Sequence, residues 1–222
     1  MLSALSAAAL GFLLGLRHAT DADHVVAVTA IVARERSFAR AARVGVLWGI
    51  GHSLTVLVIG GLIVAFRIAI PPRVGLGLEL AVALVLILLG FSNLRPVSAE
   101  KAAAHDAQTL ARADGWRPFV VGVIHGLAGS AAVALLVLTV IPETAWALAY
   151  LVVFGLGTIA GMTIVTWLIA APAVYAARRV VKFQRGIRFA AGTLSLLFGL
   201  FLAREIIVEG GLFSQAPSWM PK

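Results

Sequence analysis

The residues best suited to chemistry are His18, Asp23 and His24, in the run RHATDADH at positions 17–24. The flanking residues 4–16 and 25–33 contain no charge, so this run lies at membrane depth. An ionised group at the centre of a bilayer helix costs about 2.5–3.5 kcal/mol, and is carried only where it pairs, binds an ion or lines a cavity. Two imidazoles and a carboxylate suit divalent nickel, cobalt, copper or zinc. The run therefore predicts a metal pathway.

The composition places the chain in the membrane class. Of its 222 residues, 61% are hydrophobic and 13% are charged, with a mean hydropathy of +1.00, whereas soluble domains have about 25% charged residues. The absence of cysteine excludes disulfides and thiolate metal sites. A net charge of +8 would suggest nucleic acid in a soluble domain. Here the basic residues lie in short connectors, so we expect a lipid bilayer and no nucleic acid.

Apolar stretches of about 20 residues mark membrane helices, and six are present. They predict an all-α polytopic protein forming one transmembrane domain over residues 1–222. The apolar N-terminus has no basic start and is too long for a signal-peptide core, so it is taken as the first retained helix. The predicted spans are Ser3–Ala33, Ala42–Phe66, Val74–Leu94, Pro118–Ile141, Ala145–Ala177 and Gly186–Val208.

The distribution of lysine and arginine predicts the orientation. The first, third and fifth connectors, together with Arg43 and Arg188 at the adjoining span ends, carry thirteen of these residues, and the opposite side carries four. Because positive residues accumulate on the cytoplasmic side, both termini are predicted to lie outside.

The two halves of the chain resemble each other. GLRH at 15–18 matches GVIH at 122–125, WGIGH at 48–52 matches FGLGT at 154–158, and LLGF at 88–91 matches LFGL at 197–200. The offsets are nearly constant, which predicts an inverted 3+3 repeat: repeat one at 1–94, a cytoplasmic loop at 95–117 and repeat two at 118–222. Transporters built this way hold their site near mid-membrane at the repeat interface.

Helix geometry leaves two arrangements open for the polar run. At 100° per residue, a regular helix puts His18 and His24 on one arc and turns Asp23 away from His18 by about 140°. If His18, Asp23 and His24 share one ion, the helix must break between Ala19 and Asp23. The alternative is a straight helix in which Asp21 pairs with Arg17, four residues earlier.

Two further histidines are candidate metal residues. His52 lies some ten residues into the second span and could serve as a ligand or gate, or only bond between helices. His125 occupies the repeat position of His18, where metal binding and a structural role are equally compatible with the sequence. We count His125 and Asp21 as secondary candidates.

The run RHATDADH resembles the His-x4-Asp-His signature of the nickel/cobalt permease (NiCoT) family, and Gly51-His52-Ser53 resembles its Gly-His-Ser motif. The resemblance implies secondary uptake of Ni(II) or Co(II) across the bacterial inner membrane. His18, Asp23 and His24 would handle the metal, assisted by His52. The metal would be the substrate, with no permanent cofactor.

Two departures separate the chain from full-length members of that family. The signature lies on the first span instead of the second, and the later acidic motif is replaced by VIHGLAGS at 123–130. The chain is therefore most similar to the smaller six-span relatives known as urease-accessory nickel transporters.

The sequence thus predicts a transporter and not an enzyme. No Gly-x4-Gly-Lys-Ser/Thr motif occurs, so no ATPase domain is expected in this chain. Metal efflux and export of a small solute by a similar six-helix architecture remain alternatives. A membrane-embedded metalloenzyme is disfavoured because the sequence has no His-Glu-x-x-His motif. A homodimer and proton coupling stay open.

Overall fold

The computed structural model describes residues 4–33, 35, 37–68, 70–95, 115–141, 143–179 and 181–219. All regular structure in these segments is helical, which confirms the all-α class. The α-helices are α1 (Ala4–His18), α2 (Ala22–Val32), α3 (Phe38–Thr55), α4 (Gly61–Phe66), α5 (Pro72–Leu94), α6 (Arg117–Val140), α7 (Thr144–Arg179) and α8 (Val181–Arg204). Single π-helical turns, Val56–Gly60 and Glu205–Glu209, follow α3 and α8.

The helices are long and apolar enough for a bilayer. Among the described residues, four stretches meet both criteria: Phe38–Phe66, Pro72–Leu94, Thr144–Pro172 and Gln184–Glu209. A helix satisfies its backbone hydrogen bonds internally, as lipid requires. Large apolar side chains point outward, and Phe66, Leu88 and Leu197 are each more than 60% exposed. The chain is a multi-pass membrane protein.

The first predicted span is divided into two helices. Helix α1 ends at His18 and α2 begins at Ala22. Across the break, the N–H groups of Thr20 and Asp21 donate to carbonyls three residues earlier, at 2.8 and 3.1 Å, instead of four. The predicted irregularity between Ala19 and Asp23 is confirmed, and the straight helix is wrong.

Two predicted connectors are shorter than expected. The first was predicted over Arg34–Ala41, but α3 begins at Phe38. The fifth was predicted over Arg178–Arg185, but α7 continues to Arg179 and α8 begins at Val181. Basic side chains are good helix formers, so a run of charge does not by itself end a helix.

Glycines let the helices cross at backbone contact. The most extensive pairings are α1 with α7, α3 with α6, α3 with α7, and α5 with α8. Gly15 on α1 lies against the carbonyl oxygen of Phe154 on α7, and Gly122 on α6 lies against that of Trp48 on α3. Small residues permit such approach between membrane helices. These crossings bring the helix break beside His52 in the last turn of α3.

Candidate metal site

The break between α1 and α2 brings two histidines of the first span towards α3. His18 is the last residue of α1, and His24 lies in the first turn of α2. The Nε2 atoms of His18 and His52 are 3.1 Å apart. One ring nitrogen from each of His18, His24 and His52 lies within 4.8 Å of the others. We call this group the three-histidine site.

Two carboxylates contact the Nδ1 atoms of His18 and His24 and orient their rings. Asp21 Oδ2 lies 2.8 Å from His18 Nδ1, and Asp23 Oδ1 lies 2.9 Å from His24 Nδ1. Each carboxylate accepts a hydrogen bond from Nδ1–H, so the neutral ring carries its lone pair, the atom site that can bind a metal, on Nε2. Carboxylate–histidine pairs of this kind fix the tautomer and ring orientation of metal ligands.

The histidine nitrogens are poorly satisfied without a cation. His24 and His52 are 4% and 0% exposed. Their Nε2 and Nδ1 atoms, respectively, have no hydrogen-bond partner in the described structure. Buried polar atoms without a partner are rare and costly, and each asks for an explanation. A cation bound by these ring nitrogens would give them a partner and so explain their burial.

Access to the site differs between its two sides. The side chain of Asp21 is 49% exposed and that of His18 is 16% exposed, whereas His24 and His52 are enclosed. Asp21 therefore lies at the outer edge of the site, in contact with its most accessible histidine.

Only some of the predicted site residues meet at the three-histidine site. The structure brings together His18, His24 and His52, so the predicted approach of His52 is confirmed. Asp23 lies outside this group and contacts His24. Asp21 pairs with His18 and not with Arg17. His125 is buried next to His24, with ring centroids 5.4 Å apart.

Trp48 is a residue that sequence reasoning missed. It is 1% exposed and stacks on His24, with ring centroids 5.9 Å apart and planes at 8°. It also meets His125 edge to face at 5.3 Å. Its position four residues before His52, on the same face of α3, is the signal that could have found it.

Two buried imidazoles, a third that is partly exposed and two carboxylates paired with them, all within apolar helices, are the features expected of a membrane transporter for a divalent transition-metal ion. Comparison with known proteins agrees. Residues 4–95 match the NicO family, described as "High-affinity nickel-transport protein". The chain is 36% identical over 221 residues to the "Urease accessory protein UreH" of Bacillus sp. (strain TB-90), covering 94% of this chain and 95% of that protein. The chain belongs to this nickel-transport family; it is a metal transporter and not an enzyme.

A more distant relative comes from a plant. The "Chloroplast protein FOR GROWTH AND FERTILITY 2" of Arabidopsis thaliana is 24% identical over 207 residues, which span 88% of this chain but 55% of that protein. No solved structure matches the chain. Family membership confirms the resemblance to nickel/cobalt permeases drawn from residues 17–24 and 51–53.

Proposed function

We propose that the chain is a secondary transporter that carries Ni(II), and Co(II) as a second substrate, across the bacterial inner membrane into the cell. The observation that carries this proposal is the convergence of His18, His24 and His52 at a helix break. Neutral imidazoles suit borderline divalent cations and disfavour Mg²⁺ and Ca²⁺, which prefer oxygen ligands. Broken membrane helices recur at transporter binding sites.

We assign the aspartates to positioning. The carboxylate of Asp23 pairs with Nδ1 of His24, and that of Asp21 pairs with Nδ1 of His18. Each aspartate therefore acts on the cation through its histidine. Their negative charge also offsets the positive charge of an arriving dication. This refines the sequence-based hypothesis, in which Asp23 was itself a ligand.

The membrane potential alone can drive uptake. Moving one charge through 100 mV is worth about 2.3 kcal/mol, so a dication gains about 4.6 kcal/mol. That corresponds to an accumulation of more than a thousandfold at equilibrium, since about 1.4 kcal/mol is a factor of ten. Efflux would have to work against this term and would need a coupled ion.

The proposed architecture has six spans in an inverted 3+3 arrangement. Helices α1 and α2 together form the first span, and α6 forms the fourth. The supporting observation is that glycine contacts occur in pairs related by the sequence offset. Besides the Gly15 and Gly122 contacts, these pairs are Gly51 with the Phe119 carbonyl and Gly157 with the Phe12 carbonyl, Gly49 with Ile159 and Gly155 with Ser53, and Gly90 with Leu196 and Gly199 with Ile87.

Single cysteines test the orientation, because the native chain has no background thiol. With both termini outside, a cysteine at Ser218 is expected to react with an impermeant thiol reagent in intact cells. A cysteine at Ser37 is expected to react only after the membrane is permeabilised. Labelling at Ser37 but not at Ser218 in intact cells would reverse the topology.

Asp23→Asn tests the positioning role. Without the carboxylate, His24 loses its bias towards the tautomer with a free Nε2, so nickel affinity is expected to fall about 10–100-fold. The stoichiometry should stay at that of the wild type, measured by equilibrium binding to protein purified in detergent. His105→Ala, which removes a histidine outside the described residues, is the matched control and should bind like the wild type. Loss of all binding in Asp23→Asn would contradict positioning and make Asp23 a ligand.

A further inference from the structure

His125 has a free ring nitrogen that the three-histidine site does not use. The residue is 1% exposed. Its Nδ1 donates to the carbonyl oxygen of Val121 at 2.9 Å, one turn earlier on α6. That bond leaves the Nε2 lone pair of the neutral ring free, and Nε2 is buried with no partner among the described residues. The ring is thus held in the tautomer that binds metal, with its ligand atom unoccupied.

His24 connects His125 to the other histidines. The centroid of its ring lies 4.8 Å from that of His18, 5.1 Å from that of His52 and 5.4 Å from that of His125. Trp48 packs against both His24 and His125. A cation bound at His24 could therefore exchange His18 for His125 through small movements of the rings.

A narrow gap adjoins His24 on the side of Trp48. It is lined by Ala19, Val28, Met162 and Thr166 as well as by these two rings. The indole Nε1 of Trp48 and the hydroxyl of Thr166 are buried and have no hydrogen-bond partner in the described structure. Buried polar atoms without a hydrogen-bond partner are therefore found beyond the three-histidine site as well as within it.

These further polar atoms lie towards one face of the membrane. Trp48 is one turn nearer than His52 to the start of α3 at Phe38. Thr166 lies in the half of α7 that ends at Arg179. His125 is eight residues from the start of α6 at Arg117, or about 12 Å along the axis. In the proposed topology all three helix ends are cytoplasmic.

We propose that His24 and His125 form a second metal station on the cytoplasmic side of the three-histidine site. This inference rests on the proposed function. The cation first binds His18, His24 and His52; His125 Nε2 then replaces His18, and the cation leaves past Trp48. In this scheme His18 serves the outer side and its repeat counterpart His125 serves the inner side.

His125→Asn separates this role from a purely structural one. The asparagine amide can keep the bond to the Val121 carbonyl but has no atom at the position of Nε2. We expect nickel flux into proteoliposomes to fall at least about tenfold while equilibrium affinity changes by less than about threefold, because an interaction used only during transit affects rate and not ground-state binding. His18→Ala, in contrast, should lose equilibrium affinity. Size-exclusion chromatography shows whether each variant is folded.

His125→Cys gives a readout that does not depend on rate. The native chain has no cysteine, so a thiolate-to-nickel charge-transfer band in this variant can arise only at position 125. A thiolate binds nickel more strongly than a neutral imidazole does, so the cysteine should hold the cation at the second station at equilibrium. We expect the band to appear on loading with nickel and to disappear in the double variant His24→Ala/His125→Cys.

The outcomes separate the two proposals. Wild-type flux in His125→Asn, or no charge-transfer band in folded His125→Cys, would overturn the second station and leave the three-histidine site intact. An equal loss of equilibrium affinity in His125→Asn and His18→Ala would place His125 in the first site and also overturn the second station. Failure of the wild-type protein to bind nickel would overturn the proposed function itself.

Discussion

Replacing His24 with alanine is expected to reduce nickel accumulation to that of cells without the transporter. The ring of His24 contacts the rings of His18, His52 and His125. Its loss removes a ligand from both the three-histidine site and the proposed second station. It also leaves Asp23 as an unpaired charge at membrane depth. The measurement is nickel content in metal-limited cells expressing equal amounts of inserted protein.

His105→Ala is the control for the loss of a histidine. His52→Ala should fall between the two, since His18 and His24 and their carboxylates remain. Wild-type accumulation by an inserted, folded His24→Ala variant would remove the three-histidine site from the transport path.

Adding one methyl group at a helix crossing is expected to have the largest effect on folding. A Cβ at Gly15 or Gly122 would overlap the carbonyl oxygen of Phe154 or Trp48, which are backbone atoms that cannot move aside. Overpacking of this kind costs about 1–3 kcal/mol or more. Gly15→Ala and Gly122→Ala should therefore lower the temperature at which the detergent-solubilised protein loses its monodisperse peak.

Gly77→Ala provides the matched control, because a Cβ there has no atom within 4 Å outside its own helix. Replacing this helical glycine should be neutral or slightly stabilising. If Gly15→Ala and Gly77→Ala lost their peaks at the same temperature, the close crossing of α1 and α7 would be wrong.

The helix break was predicted from helix geometry on the premise that His18, Asp23 and His24 share one ion; the break is present, but Asp23 lies outside the group of three histidines. A regular helix cannot aim His18, Asp23 and His24 at one point, and a buried polar run needs a shared use. The approach of His52 followed from its depth in the next span. Both deductions require only the periodicity of a helix and the cost of polar groups in lipid.

The contact of Asp23 with His24, instead of a place among the three histidines, could not be predicted from residue type. A carboxylate next to a histidine can bind either the metal or the histidine, and the choice depends on backbone angles at the start of α2. Asp21 has extended angles, φ −61° and ψ 147°, and precedes the first residue of that helix. Those angles direct Asp21 to His18 and let Asp23 fold back onto His24.

The role of Trp48 was hidden for a different reason. A tryptophan in an apolar helix ordinarily packs against neighbouring helices or lies at the membrane interface. Its stacking on His24 depends on how α2 and α3 cross, which no local pattern encodes. The connector lengths were overestimated because basic side chains mark the membrane boundary and not the helix end.

The most direct test of the central claim is radiolabelled nickel uptake into sealed proteoliposomes with an imposed potential. With the interior negative, we expect uptake that rises with the potential, needs no ATP and is lost in His24→Ala. Cobalt should compete for this uptake, whereas excess Mg²⁺ should not. Uptake no greater than in protein-free liposomes, or equal uptake by the wild type and His24→Ala, would contradict transport through the three-histidine site.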